Sequence, residues 1–298
     1  MPADGECQTA ARVSPGARKM ELSGIRRRAS RALLFVALTA FAYQRPFRTY
    51  TPMEGADSEA GLPPDYRNTA EVVLGRLMYP SGGGGGRGRG GGNWLLGGTS
   101  WTVDYPRGDR TFAVATRRLT RVDVRSVEQP VNPDDDDDIF LYPYLHAGMP
   151  TNWVFSDAQA KKLREYFLRG GFLTCDSFFG TQEWEGFERG MRQIFPDREI
   201  VELPDEDQIF HTAYDLKEKY QVGNFRSLIR NGNPYRADGA VPHWRGIRDD
   251  HGRVMVMINF NNDLGDSWQL ADNPEYPQKF SYMGIRLGLN YLIYTMTH

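Results

Sequence analysis

The chain has only two cysteines, Cys7 and Cys175, among its 298 residues. A framework of several disulfides is therefore excluded, and stability has to come from a packed core. There is no apolar run of eighteen residues, so no segment has the length that crossing a bilayer requires. Charge of one sign is also missing. A net charge of −2 gives no whole-protein reason to expect nucleic acid or an anionic membrane as partner. The five histidines show no His-x-x-x-His pattern and the cysteines no paired spacing. Without either, no metal and no cofactor is expected. No internal repeat is visible.

What is present begins at the N-terminus. Arg26, Arg27, Arg28 and Arg31 precede an apolar run over residues 32–42 that ends in Ala40-Phe41-Ala42. Eleven residues are too few to span a membrane, and an A-x-A ending matches a cleavage site. Residues 1–42 are read as an N-terminal extension and signal peptide, with Met20 a plausible start. The protein is accordingly expected to be exported, to the periplasm or beyond the cell. Removing residues 1–42 takes away seven basic and three acidic residues and leaves 29 against 35, a formal charge of −6. The mature chain then has one cysteine, no transmembrane span and no nucleic-acid signature.

Residues 43–69, rich in Pro, Gly and charge, read as a flexible arm. Residues 70–298 form the globular part, interrupted by the low-complexity stretch SGGGGGRGRGGGN over 81–93. No Gly-Lys-Ser/Thr follows that stretch, which favours a mobile loop over a phosphate cradle. Residues 134–138 are five consecutive aspartates. A calcium loop alternates its ligands around a glycine, so a solvated turn is the better reading here.

Residues 139–180 carry the clearest architectural signal. An apolar run, IFLYPYLHAG, is followed by an amphipathic helix and by a second apolar run, FLTCDSFFG. This order suits a βαβ unit of a parallel sheet. Ser156 or Asp157 caps the helix, Ala160, Leu163, Phe167 and Leu168 share its buried face, and Gly170-Gly171 closes it. Further helices are predicted over 109–120, 181–195 and 282–294, with strands over 122–127 and 255–258 and a strand or helix turn within 71–79. Together these make an α/β domain with a mostly parallel sheet between helices.

Ligands of such sheets bind beyond the carboxyl ends of the strands. The residues expected there are Asp104, Asp176, Ser177, His211, Asn262 and Asp263, from polar loops around a single rim. They suit a small polar ligand, a hydrolytic site with Asp176, His211 and Asp263 as polar groups or Cys175 as nucleophile, or, with least support, a divalent metal on His nitrogen and carboxylate oxygens. Equally, Asp176 and Asp263 can cap helices and His211 can be an ordinary loop residue. Cys175 reads as a buried structural thiol, since Asp176 beside it opposes a thiolate and no glycines flank it to form an open turn. The loop tryptophans Trp101, Trp153, Trp184, Trp244 and Trp268 read as core plugs in preference to a binding groove.

The order Gly97-Gly98, Trp101, Asp104-Tyr105-Pro106, YPYLHAG, FPDREIVELPDEDQIFHTAYDL, NFNNDLGDSW and RLGLNYLIY resembles the bacterial domain of unknown function 4159. The resemblance runs from about residue 70 to the C-terminus. It implies a three-layer α/β/α fold with a mostly parallel sheet, flavodoxin-like or similar to class I glutamine amidotransferases. It implies no reaction, and it suggests a cell-envelope setting. The functional expectation is a non-catalytic exported protein that binds a small polar ligand or an envelope protein, with a hydrolase as the alternative.

Overall fold

A computed structural model describes residues 47–82 and 92–298. The leader expected over 1–42, the first residues of the arm and most of the glycine-rich stretch lie outside the described residues. Seven strands form one sheet: β1 Gly75–Leu77, β2 Gln129–Val131, β3 Tyr144–Gly148, β4 Phe172–Asp176, β5 Val201–Glu202, β6 His243–Arg248 and β7 Val254–Phe260. Their order is β2-β1-β3-β4-β7-β6-β5. The first five are parallel, and β6 and β5 extend the sheet antiparallel beside β7. The parallel part has the 2-1-3-4-5 order of doubly wound sheets, whose topological switch falls between β1 and β3.

Six α-helices are described: α1 Arg107–Leu119, α2 Asp157–Leu168, α3 Gly180–Ile194, α4 Phe225–Asn231, α5 Leu264–Gln269 and α6 Gln278–Thr297. Side chains alternate across each strand, so each sheet face meets its own helical layer. Leu145, Ala147, Leu173, Cys175, Val256 and Ile258 pack with Leu163, Phe167, Phe187 and Met191 of α2 and α3. Tyr144, Phe172, Val254 and Met257 share the opposite core with Phe112, Trp268, Phe280 and Leu287 of α1, α5 and α6. The architecture is thus three-layered, α/β/α. Each fully buried Leu or Phe contributes roughly 1.5–3 kcal/mol of burial to it.

The βαβ unit over residues 139–180 is as expected. β3 and β4 are parallel in register, with Gly148 opposite Asp176. Ser156 caps α2 in a full capping box with Gln159, which satisfies two backbone donors at the helix start. The strand anticipated over 122–127 is instead a single bridge between Val72 and Val124, and the paired strand comes later, at β2. Strand β6 and helices α4 and α5 were not anticipated.

The arm also differs from expectation. Residues 47–69 lie against the domain through specific polar contacts. Arg110 donates to the carbonyls of Ala60 and Gly61, Arg117 pairs with Asp65, and the Glu54 carboxylate accepts the Asp104 backbone N–H at 2.9 Å. Composition shows a shortage of apolar residues, but it does not show arginines elsewhere that recruit backbone carbonyls. The tryptophans are core residues: Trp101, Trp153, Trp244 and Trp268 are buried, and Trp184 packs partly buried against Phe260.

Candidate functional site

Strands β3, β4 and β7 end at one rim. The turns that leave them carry Met149, Ser177 and Asp263, and these three residues line a cavity of about 550 Å³. The segment ahead of α1 adds Asp104, the arm adds Glu54, and α5 adds Asp266. Glu183 of α3, Arg226 and Arg230 of α4 and Arg236 of the following loop also line the cavity; Arg226 pairs with Glu54 at 3.5 Å and Arg236 with Glu183 at 3.1 Å.

The backbone around this cavity is unusual. Five non-glycine residues among those described have positive φ: Asp104, Met149, Ser177, Ala237 and Asn261. Four of them, all but Asn261, line the cavity. The left-handed region costs an L-residue roughly 1–2 kcal/mol, so such residues persist only where surrounding contacts hold them. At Ser177 (φ 62°) those contacts are visible. Its N–H donates to the Asn262 carbonyl at 2.9 Å, its carbonyl accepts from Arg236, and its hydroxyl donates to Asp263 Oδ1 at 2.6 Å.

Asp104, Asp263 and Asp266 are buried, and one carboxylate oxygen from each lies within 4.8 Å of the others. Asn224 Nδ2 donates to Asp263 Oδ2 at 2.9 Å and to Asp266 Oδ2 at 3.1 Å. The Phe225 N–H donates to Asp266 Oδ2 at 2.7 Å. Asp104 Oδ1 is buried and has no hydrogen-bond partner. Burial pushes all three carboxyl groups above the usual carboxylate range. Repulsion from Glu54, Asp266 and Asp263 adds to this at Asp104, from Asp176 at Asp263, and from Asp263 at Asp266.

A second network lies beneath the cavity floor, at the β1–β3 switch. His146 Nε2 meets Asp176 Oδ1 at 2.6 Å, and Arg76 Nη1 meets His146 Nδ1 at 2.6 Å. A guanidinium offers only donors, so Nδ1 must present a lone pair and Nε2 carries the proton. Burial is the largest influence and opposes charge on this ring, but Asp176 and the neighbouring Asp109 together move its pKa upward, with Arg76 opposing. The Arg76 contact nevertheless fixes the neutral tautomer in this arrangement. Arg76 also donates to the carbonyls of Trp101 and Val103 and pairs with Asp109 at 3.5 Å. Asp109 is held below the ordinary range despite its burial, chiefly by Arg76. Asp176 Oδ2 accepts the Gly265 N–H at 2.6 Å. The network therefore ties β1, β3, β4, α1 and α5 together and sets the height of the floor.

These positions sort the residues anticipated at the rim. Asp104, Ser177 and Asp263 come together in the cavity. Asp176 is fully buried below it instead of pointing into it. Asn262 is structural, accepting from the Val222 N–H and donating to the Phe260 carbonyl. His211 lines no part of the cavity; it pairs with Asp215 four residues on and with the Asp205 carbonyl. The proposed trio Asp176, His211 and Asp263 does not assemble. Cys175 faces the α2–α3 core, and burial followed by Asp176 pushes its thiol well up. Glu54, His146, Asp266 and Arg236 were not singled out from the sequence, although His146, a lone polar residue inside an apolar strand, was a usable signal.

The family model described as Domain of unknown function (DUF4159) matches residues 93–296. The chain belongs to this family. Within the DUF4159 match lie Asp104, His146, Asp176, Ser177, Asp263, Asp266 and the three cavity arginines, while Glu54 and Arg76 precede it. No curated protein matches the chain at a significant level.

Proposed function

We propose that this DUF4159 protein is a non-catalytic binder of a small polar ligand, held in the cavity over β3, β4 and β7. The observation that carries the reading is the convergence of four left-handed non-glycine residues on a cavity that also collects three buried aspartates. Strain and buried charge each cost stability, and their coincidence is typical of sites kept for a ligand. The lining is amphoteric. Its carboxylates suit hydroxyl or ammonium donors, and its arginines, Arg230 above all, suit an anionic group. A cavity of about 550 Å³ accommodates a ligand the size of a sugar acid or an amino-acid derivative. The setting we propose is the cell envelope, supported by the basic, apolar and Ala-Phe-Ala leader that ends at Ala42.

A hydrolase is the second reading, favoured by one observation. Ser177 occupies the sharp turn between β4 and α3 at φ 62°, with its hydroxyl 2.6 Å from a carboxylate. Against it, no histidine lines the cavity among the described residues, and the Ser177 N–H is already spent on Asn262. Binding is therefore preferred. A thermal-shift screen of sugars, sugar acids and amino acids tests it. Binding predicts a hit that Arg230→Ala abolishes and that is recovered unaltered after incubation; turnover of the hit that Ser177→Ala abolishes would establish the hydrolase instead.

A further inference from the structure

We infer that Asp104, Asp263 and Asp266 bind a hard divalent cation, of the Ca²⁺ or Mn²⁺ kind, which presents the ligand's oxygens to the cavity. The inference rests on the ligand-binding reading and deepens it.

Geometry is the first support. The three carboxylate oxygens lie within 4.8 Å of one another. Two ligands on opposite sides of a Ca²⁺ at about 2.4 Å stand at that separation, and closer pairs fall inside it. The donor set is oxygen only, with the Ser177 hydroxyl alongside, which suits a hard cation and not a thiolate- or imidazole-seeking one.

The second support is independent of the clustering. Asp104 is 1% exposed, yet its Oδ1 has no hydrogen-bond partner, and the residue lines the cavity. A buried carboxylate oxygen with no donor is costly, and nearly all such groups find a partner in native proteins. The surrounding donors are placed to orient the acids without satisfying this oxygen. Asn224 bridges Asp263 and Asp266, the Asp266 N–H and Ser177 hydroxyl donate to Asp263 Oδ1, and the Phe225 N–H fixes Asp266. Such outer contacts aim carboxylates at a metal.

Space and charge agree. Gly265 packs against the Asp104 carboxylate, and a Cβ there would collide with it. Arg226 pairs with Glu54 and Arg236 with Glu183, and among the described residues no ion pair is formed by the three aspartates. A cation between the aspartates neutralises their mutual repulsion, and a ligand with an anionic group completes its shell.

This site differs from the aspartate run over 134–138. There Asp134 accepts from Gln159, Asn132 donates to Asp135, and Lys162 donates to the carbonyls of Asp135 and Asp136. That run is a braced turn.

The test titrates the full chain, freed of metal by chelation, with MnCl₂ or CaCl₂ alone and no organic ligand, by calorimetry and by Mn²⁺ electron paramagnetic resonance. The expected result is one ion per chain, with affinity reduced about tenfold or more by Asp104→Asn and by Asp266→Asn, and unchanged by Asp136→Asn. Circular dichroism verifies that both site variants remain folded. Arg230→Ala should keep the ion while losing the organic ligand, which separates failure of this inference from failure of the binding reading. Absence of binding up to about 1 mM, the weak end for extracellular calcium modules, overturns the inference. So does equal affinity in Asp104→Asn and the parent, or loss of the ion on Asp136→Asn.

Discussion

The Ser177 hydroxyl donates to Asp263 Oδ1 at 2.6 Å, joining the turn after β4 to the turn after β7. The two residues are 86 positions apart in the chain, and the bond brings them together over neighbouring parallel strands. It fixes the centre of the cavity floor and makes the left-handed turn at Ser177 an observable quantity.

Replacing Ser177 separates the hydrogen bond from the backbone strain. Ser177→Ala removes the bond and keeps a Cβ at φ 62°, whereas Ser177→Gly removes the bond and relieves the strain. The glycine variant should be more stable than the alanine variant by about 1 kcal/mol. Urea unfolding of the two variants measures the difference.

The buried aspartates give a signed pH dependence. Burial and neighbouring acids raise the Asp104 carboxyl above its unfolded value, so the folded state holds its proton more tightly. Stability from this group is therefore fully present below the unfolded pKa and is lost as pH rises through the folded one. Asn mimics the protonated acid. In chelator, Asp104→Asn should match the parent near pH 4 and exceed it at pH 8 by about 1 kcal/mol or more. Thermal melts of both proteins across that range check the crossover.

Helix α3 seats on the segment after β3 through two glycines. A Cβ at Gly186 would meet the Thr151 backbone, and one at Gly190 would meet the Trp153 ring. Thr151 also lines the cavity. Gly186→Ala should destabilise the fold by about 1–3 kcal/mol through overpacking and should weaken ligand binding as well. A solvent-face change such as Glu185→Ala should do neither. Chemical denaturation beside a binding isotherm distinguishes the two.

Cys175 should behave as core. Burial and Asp176 both hold the thiol protonated. A thiol-disulfide reagent should therefore label Cys175 only at the rate of unfolding, followed in a Cys7→Ser background, and Cys175→Ala should leave ligand binding unchanged.

The scaffold was far more legible in the sequence than the site was. The capping box at Ser156, the apolar face of α2 and the glycine pair after it are local patterns, and local patterns define β3-α2-β4. Strand β6 was hidden because HWRGIR alternates basic and apolar residues with a glycine where Leu203 packs, and only pairing with β7 reveals it. Asp104, Ser177 and Asp263, which do line one cavity, stood out because each ends or adjoins a recognisable element. Asp266 was missed because the short helix that carries it was itself not anticipated, so nothing set it apart from other loop carboxylates. Glu54 was missed because its neighbours in sequence suggest an arm, and its role depends on Asp104, fifty residues away. His211 was misplaced because a histidine beside acidic residues looks catalytic, whereas its acid, Asp215, is only four residues along and binds it locally.

The central claim is that the cavity over β3, β4 and β7 is where this protein meets its ligand. A second cavity, of about 690 Å³, lies between α3 and the antiparallel edge and contains Arg192. The most direct test is calorimetry with the best compound from the polar-ligand screen on the parent, Arg230→Ala and Arg192→Ala. The account predicts at least about a tenfold loss of affinity for Arg230→Ala, the scale of one charged hydrogen bond, and none for Arg192→Ala. Full affinity in Arg230→Ala together with a loss in Arg192→Ala would contradict it.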